Sequence, residues 1–317
     1  MREQIEIFDL SSPCQCETDR YFQAPVPSQF SICSFLVYDI LPLMRQTSPN
    51  NPLSSRDNIT VKFLRSLSDP KRRKKEQAFL IEGVKMVEEA LRENLGVKTV
   101  VATPSLTQHH GKGVLKLSED KGIGIVWVTD RLMDVLAESK TPQPIMAVVQ
   151  MKQTTEELLL KHKARLIVIA HELQDPGNLG TIIRTAEAVG ASGIAITANT
   201  VDPFNAKAVR ASMNSILRIP VVPVGDFASF VRKCRQSGFQ TVATALNGEK
   251  AHFAVDLTKP TAVIVGREGS GLPQDIMADI DLRVRIPMAE TIDSLNVATA
   301  AAVILYEAMR QRLHDSR

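Results

Sequence analysis

Three stretches in the second half of the chain carry side chains suited to gripping and orienting a polar substrate. The first is Gln174-Asp175-Pro176-Gly177-Asn178-Leu179-Gly180, running into Thr181-Ile182-Ile183-Arg184. Pro176 and Gly177 predict a tight turn, with Asn178 at the position of a helix N-cap. Arg184 then falls on the second helical turn, about 9 Å along the axis from Asn178, and can turn back toward the loop. The second stretch is Val265-Gly266-Arg267-Glu268-Gly269-Ser270-Gly271-Leu272-Pro273. Its glycines let backbone approach a ligand closely, and a carboxylate among them suits a cation or a ribose hydroxyl better than a polyphosphate. The spacing is not that of a dinucleotide fingerprint, and Leu272 and Pro273 stand where a P-loop needs Lys and Ser or Thr. The third stretch is Ile286-Pro287-Met288-Ala289-Glu290-Thr291-Ile292-Asp293-Ser294-Leu295-Asn296-Val297. Asp293 or Ser294 is expected to cap a long helix there, whose Ala298, Ala300, Ala301 and Ala302 let another backbone come near. Taken singly, each stretch also reads as an ordinary capped turn, glycine turn or packed core helix.

The elements around these loops predict how they are held. Apolar runs at Leu166–Ala170, Ile194–Thr197, Val221–Val224, Gln240–Ala245, Ala262–Val265 and Val284–Ile286 read as strands. Helices fit between them at Leu179–Val189, Asn205–Asn214, Phe227–Gln236 and Gln274–Ala278, with a last one after Ser294. Buried strands in βα repeats imply an α/β fold with a mostly parallel sheet covered on both faces. Such sheets bind ligands at the C-terminal ends of their strands, where the three loops fall.

The first half is organised differently. Residues 1–55 lack periodicity and end in a polar Ser-, Asn- and Pro-rich run, so they are expected to be a disordered extension. Met44 is a candidate native start, because patterned sequence begins only after it. A smaller α/β domain is expected over 56–150, with a helix at Val61–Leu67, another after Gly83, and strands at Val97–Val101, Ile123–Val128 and Ile145–Val149. Residues 151–164 read as a linking helix and 165–317 as the main domain. The run Lys71-Arg72-Arg73-Lys74-Lys75 is the candidate for phosphate contact, against its plainer reading as a solvated face.

Bulk properties narrow the classes. Lysine and arginine total 38 against 35 acids, a formal +3, which permits nucleic acid as a partner without demanding it. Cys14, Cys16, Cys33 and Cys234 are spaced for neither zinc nor a disulfide framework, so no metal is expected and the compartment reads as cytoplasmic. His109 and His110, adjacent in a loop-like stretch, read as solvated. The apolar stretch 30–44 falls short of the roughly 20 residues a spanning helix needs, and it contains Asp39 and Pro42. Acids precede it where a signal peptide wants a basic start.

In order and spacing the three loops resemble the motifs of the SpoU/TrmH family of RNA ribose methyltransferases. The matching residues are Asn178-x-Gly180-x-x-x-Arg184, Gly266-x-Glu268-x-x-Gly271, and Ile286-Pro287-Met288 with Ser294-Leu295-Asn296-Val297, a resemblance covering 165–313. Phe79-Leu80-Ile81-Glu82-Gly83 and Thr141-Pro142-Gln143 resemble the RNA-binding domain joined to many members. The resemblance implies a trefoil-knotted sheet, a homodimer with its active site near the interface, and S-adenosylmethionine cradled by Gly266, Ile286 and Leu295. It assigns the main catalytic part to Arg184, with Asn178, Glu268, Ser294 and Asn296 orienting the ribose and the arginine. The substrate implied is structured RNA, ribosomal RNA ahead of tRNA. Glu290 departs from the pattern, since many members have glycine there. Two other readings compete: a non-catalytic RNA-binding or assembly protein on the same fold, and a nucleotide-dependent oxidoreductase, which the missing dinucleotide fingerprint disfavours.

Overall fold

The computed structural model describes residues 46–108, 111–139, 141–162, 165–268, 271–272 and 274–315. Expectations that fall on residues 1–45, on His109 and His110, and on Gly269, Ser270 and Pro273 lie outside the described residues. The first domain runs through α1 (Ile59–Ser66), α2 (Pro70–Glu76), β1 (Ala78–Glu82), α3 (Val84–Arg92) and β2 (Val97–Ala102). It continues with α4 (Lys112–Asp120), β3 (Ile125–Trp127), α5 (Asp130–Leu136) and β4 (Ile145–Gln150). The strands form one sheet in the order β1-β4-β2-β3. β4 lies antiparallel to β1 and β2, while β2 and β3 are parallel.

The basic run is itself helix α2, started by Asp69, whose side chain accepts from Lys71 N, and by Pro70 in the first turn. Residues 46–55 depart from the expected disorder. Thr47 Oγ1 accepts from Trp127 N at 2.7 Å and donates to Trp127 O at 3.1 Å. Leu53 N donates to Trp127 O, and Thr129 N donates to Leu53 O, both at 2.9 Å. This segment covers β3, an edge strand whose backbone groups would otherwise face solvent. Pairing through backbone needs no hydrophobic periodicity, which is why the pattern did not reveal it.

A short helix, α6 (Glu156–Lys161), leads to the second domain. There the order is β5 (Leu166–Ala170), α7 (Pro176–Ala188), β6 (Gly193–Ile196), α8 (Ala206–Ser212), α9 (Ser215–Arg218), β7 (Val221–Pro223) and α10 (Phe227–Gln236). It closes with β8 (Gln240–Thr244), β9 (Lys250–Ala251), β10 (Thr261–Val265), α11 (Gln274–Ala278), β11 (Leu282–Arg285) and α12 (Val297–Asp315). Its sheet runs β7-β6-β5-β10-β8-β11-β9, and every pairing in it is parallel. The two faces of the sheet feed separate cores. Leu166, Val168 and Ala170 of β5 point to the side that packs α7 and α12. Ile167 and Ile169 point to the side that packs α10, the alternation a strand imposes.

The first of these cores does not stop at the domain boundary. It includes Phe79, Ile81, Val87, Ala147 and Val149 of the first domain. The helix expected over 205–214 breaks where that contact is made. Met213 and Asn214 adopt left-handed backbone, with φ of 47° and 68°. The buried Asn214 side chain then donates to Met86 O at 3.0 Å and Glu89 Oε2 at 2.8 Å. Among the described residues no helix is long and apolar enough to cross a membrane.

Candidate active site

The three loops leave the C-terminal ends of β5, β10 and β11. β5 and β10 are neighbours, with Ala170 paired to Val265, and His171 N continues the pairing to Val265 O at 2.9 Å. Two capping expectations change here. Asp175, not Asn178, is the N-cap of α7: its Oδ1 accepts from Asn178 N at 2.9 Å, with Pro176 in the first turn. Asn296, not Asp293 or Ser294, caps α12, its Oδ1 accepting from Ala298 N at 2.9 Å and Thr299 N at 3.3 Å. Asp-Pro at a loop-to-helix junction was the available signal for the first of these.

Released from capping, the Asn178 side chain joins the three loops. Its Nδ2 donates to Glu268 Oε1 at 3.1 Å, and its Oδ1 accepts from Asn296 Nδ2 at 2.9 Å. The orientation of both amides follows from the partners. An ionised Glu268 can only accept, so Asn178 turns its NH2 there and offers its oxygen to Asn296. Asn296 must then give its own NH2, which leaves its oxygen for the N–H groups of α12. The second Glu268 oxygen accepts from Gln174 N at 3.2 Å. Partial burial pushes the Glu268 carboxyl up in pKa. The Asn178 amide and the backbone N–H groups of Glu268, Gln174 and Asp175 outweigh it and hold the group below the ordinary glutamate value.

Arg184 lies on the solvent face of α7, opposite Leu179, Ile182, Ile183 and Ala186. It is exposed, and it makes no hydrogen bond or ion pair with the described residues. Ser294 is likewise exposed in its loop, and Ile286 and Leu295 are half-buried. Gly180 is required by packing: a Cβ there would collide with the carbonyl of Ala208 and lie 2.6 Å from Ala211 Cβ, so α7 and α8 touch backbone to backbone. Gly266 is required by its own loop. A Cβ would come within 2.7 Å of the Gly271 carbonyl carbon, where Gly271 N bonds Arg267 O at 2.9 Å to close the turn. Glu290 is exposed and is not among the residues with left-handed backbone, so the position does not demand the glycine of the family pattern.

The basic run is not uniform. Lys71, Lys74 and Lys75 are exposed, and Arg72 pairs with Glu76 at 2.9 Å along the helix. Arg73 is 3% exposed and ion-paired to Asp202, so the expectation that it meets phosphate is corrected. A seven-residue helix without apolar positions gives no sign of which side turns inward. The two small-domain stretches of the resemblance meet each other: Glu82 Oε1 accepts from Ser139 Oγ and from Gln143 N, the latter at 3.1 Å. Sequence reasoning also passed over Gln174, whose Nε2 donates to Asn199 O at 2.7 Å and Glu172 O at 2.9 Å, fastening the first loop to its neighbour. Among the described residues no group of His, Cys, Asp and Glu is placed to hold a metal ion.

Residues 165–306 match the SpoU rRNA methylase family, and residues 58–147 match the MRM3-like substrate binding domain. An uncharacterized tRNA/rRNA methyltransferase of Synechocystis is 34% identical over 266 residues, covering 84% of this chain and 96% of that protein. The 23S rRNA (guanosine(2553)-2′-O)-methyltransferase RlmP of Bacillus subtilis is 34% identical over 256 residues, covering 80% and 97%. The AdoMet-bound crystal structure of an rRNA methyltransferase from Sinorhizobium meliloti aligns with a TM-score of 0.71 at 34% identity, covering 82% of this chain and 97% of that one. With near-complete coverage of these relatives, and with the three motif loops meeting at one end of the sheet, the chain belongs to the SpoU rRNA methylase family.

Proposed function

We propose that the protein transfers a methyl group from S-adenosylmethionine to a ribose 2′-hydroxyl in ribosomal RNA. The observation that carries this reading is the Asn178 side chain, which bonds Glu268 and Asn296 at once and so draws all three motif loops into one site. The loops also suit the cofactor. The second closes as a glycine turn without side-chain bulk at Gly266, and the half-buried Ile286 and Leu295 of the third loop offer apolar side chains. Gly266, Ile286 and Leu295 would hold S-adenosylmethionine, which supplies an electrophilic methyl on a sulfonium.

The chain's own side chains then act on the ribose. The 2′-oxygen must be aimed at the methyl and must lose its proton as it attacks. Glu268, fixed by Asn178 and held ionised, accepts from a ribose hydroxyl and orients the sugar. A guanidinium keeps its proton and is a poor base, so Arg184 binds the adjacent phosphate and stabilises the developing alkoxide. Water or that phosphate takes the proton. Ser294 and Asn296 complete the grip on the sugar. Because the acceptor is the 2′-hydroxyl, DNA is excluded by chemistry.

The same reading includes a trefoil knot in the second domain, a cytoplasmic location, and a homodimer. Leu246, Phe253, Ile292 and Tyr306, each more than half exposed, supply apolar surface for a second copy. Mapping 2′-O-methyl groups in ribosomal RNA from cells with and without the gene tests the function: one ribose should lose its methyl. An unchanged map would refute the proposal.

Two further outcomes follow. Gly266→Val should abolish S-adenosylmethionine binding, because its side chain enters the space of the Gly271 backbone and opens the turn. Calorimetry on the folded variant reads this directly, and unaltered affinity would remove the loop from the cofactor site. Replacing Lys71, Lys74 and Lys75 with serine should weaken RNA binding and flatten its salt dependence, by a slope of roughly 0.7 to 0.9 per lost phosphate contact. An unchanged slope would return these lysines to a solvated face.

A further inference from the structure

The middle residue of the basic helix faces inward, and its partners are informative. A buried guanidinium needs acceptors for its fork of donors. Arg73 Nη1 donates to the carbonyls of Leu67 and Ser68, both at 2.8 Å, closing the turn between α1 and α2. Its Nε donates to Asp202 Oδ2 at 3.0 Å, and Nη2 donates to the same oxygen. Asp202 belongs to the second domain, in the loop from β6 to α8. Its other oxygen accepts from Phe204 N at 2.9 Å, and the Phe204 ring packs against Phe79 of β1 with centroids 4.8 Å apart.

That same loop is bonded to the first site loop. Val201 N donates to Leu173 O at 2.8 Å, and Gln174 Nε2 donates to Asn199 O at 2.7 Å. Gln174 in turn gives its backbone N–H to Glu268. Contacts therefore run from helix α2 to Asp202, along its loop to Asn199, and through Gln174 to the Glu268–Asn178 pair. Lys71, Lys74 and Lys75, spaced three and four apart, share the outward side of the helix that Arg73 anchors.

We propose that Arg73 and Asp202 are positioning residues that select the target nucleotide. Their pairing fixes the span from the three exposed lysines to Asn178 and Glu268, and so determines which ribose of a phosphate-bound RNA strand is methylated. The inference rests on the function proposed above. Phosphate contacts set the register of a strand without reading its sequence. They measure a distance only if both ends of the ruler belong to one body. The ion pair of buried Arg73 with half-buried Asp202, and the apolar core shared by the two domains, supply that rigidity. Misplacing a reacting group by about 1 Å costs on the order of 100-fold in rate. Loss of the pair should thus appear in rate and target choice, not in affinity.

The test uses Asp202→Asn in the full chain, with unmodified 23S rRNA transcribed in vitro and labelled S-adenosylmethionine. The single-turnover rate should fall by about tenfold or more, and methylation should spread to riboses beside the wild-type target. RNA affinity should stay within about threefold, because the lysines that supply it are untouched. Cofactor affinity should not change. A merely structural role would lower both affinities together and leave the target nucleotide as it was. If Asp202→Asn does not fold, the paired Arg73→Met/Asp202→Leu variant, which leaves no unpaired buried charge, is scored in the same way. A folded variant with wild-type rate and a single methylated ribose would overturn the proposal. In the wild-type complex, bound 23S rRNA should also protect Lys71, Lys74 and Lys75 from acetylation, and unprotected lysines would overturn it without any variant. A wild-type protein that transfers no methyl to rRNA would refute the function itself, a result separate from these.

Discussion

Arg184→Ala should slow methyl transfer by about two to four orders of magnitude, the scale of losing a principal transition-state contact. The residue is exposed on α7 and pairs with none of the described residues, so its loss should cost the fold only a few tenths of a kcal/mol. Cofactor affinity should hold, since Gly266, Ile286 and Leu295 lie in the other two loops. Arg184→Lys separates charge from shape. Lysine keeps a point charge for the phosphate but loses the planar two-point grip, and it should recover only a small part of the rate. Single-turnover assays with saturating RNA and cofactor isolate chemistry from binding. A near wild-type rate for the alanine variant would remove Arg184 from the mechanism.

Asn178→Ala should act on stability and catalysis together. It deprives Glu268 Oε1 of its side-chain donor and Asn296 of its acceptor. Leaving a partly buried carboxylate short of a donor costs about 1–3 kcal/mol. With Glu268 and Asn296 no longer oriented, the rate should fall on the order of 100-fold. The pH response carries a sign. Glu268 has a folded-state pKa below its ordinary value, so it contributes stability above the unfolded pKa of about 4.5, lost as pH falls through the folded value. Asn178→Ala removes the strongest of the lowering contacts, so this acid loss should begin at higher pH than in the wild type. Paired acid titrations of stability and of single-turnover rate check both. Coincident acid limbs would mean that Asn178 does not govern the carboxylate.

Much of this was legible before any coordinates. The apolar runs of a parallel sheet stand out because both faces are buried, so the strand Leu166–Ala170 is legible to the residue. The helix Phe227–Gln236 is legible from the one apolar face it keeps between strands. The three loops were legible for the same reason, being what remains between such runs. Caps were harder. Asp175 and Asn178, or Asp293, Ser294 and Asn296, all satisfy the same short-polar rule, and only the geometry says which oxygen meets the helix. The inward turn of Arg73 depends on Asp202, distant in sequence and belonging to another domain. The break after Ser212 is likewise imposed from outside, since Asn214 leaves the helix to bond the first domain. Such features arise from meetings between elements, and local pattern does not contain them.

The bond between Asn178 and Asn296 has a consequence for how the protein comes into being. Synthesis proceeds from the N-terminus, and domains generally fold in that order as they emerge. The first domain and the β5–β6–β7 portion of the sheet can assemble early from nearby segments. The centre of the second sheet must wait, because Leu166 pairs with Thr261, and the site must wait longer still. Until Asn296 leaves the ribosome, Asn178 lacks one of its partners. A nascent chain therefore carries helix α2 and its exposed lysines well before the three loops of the candidate site can be joined.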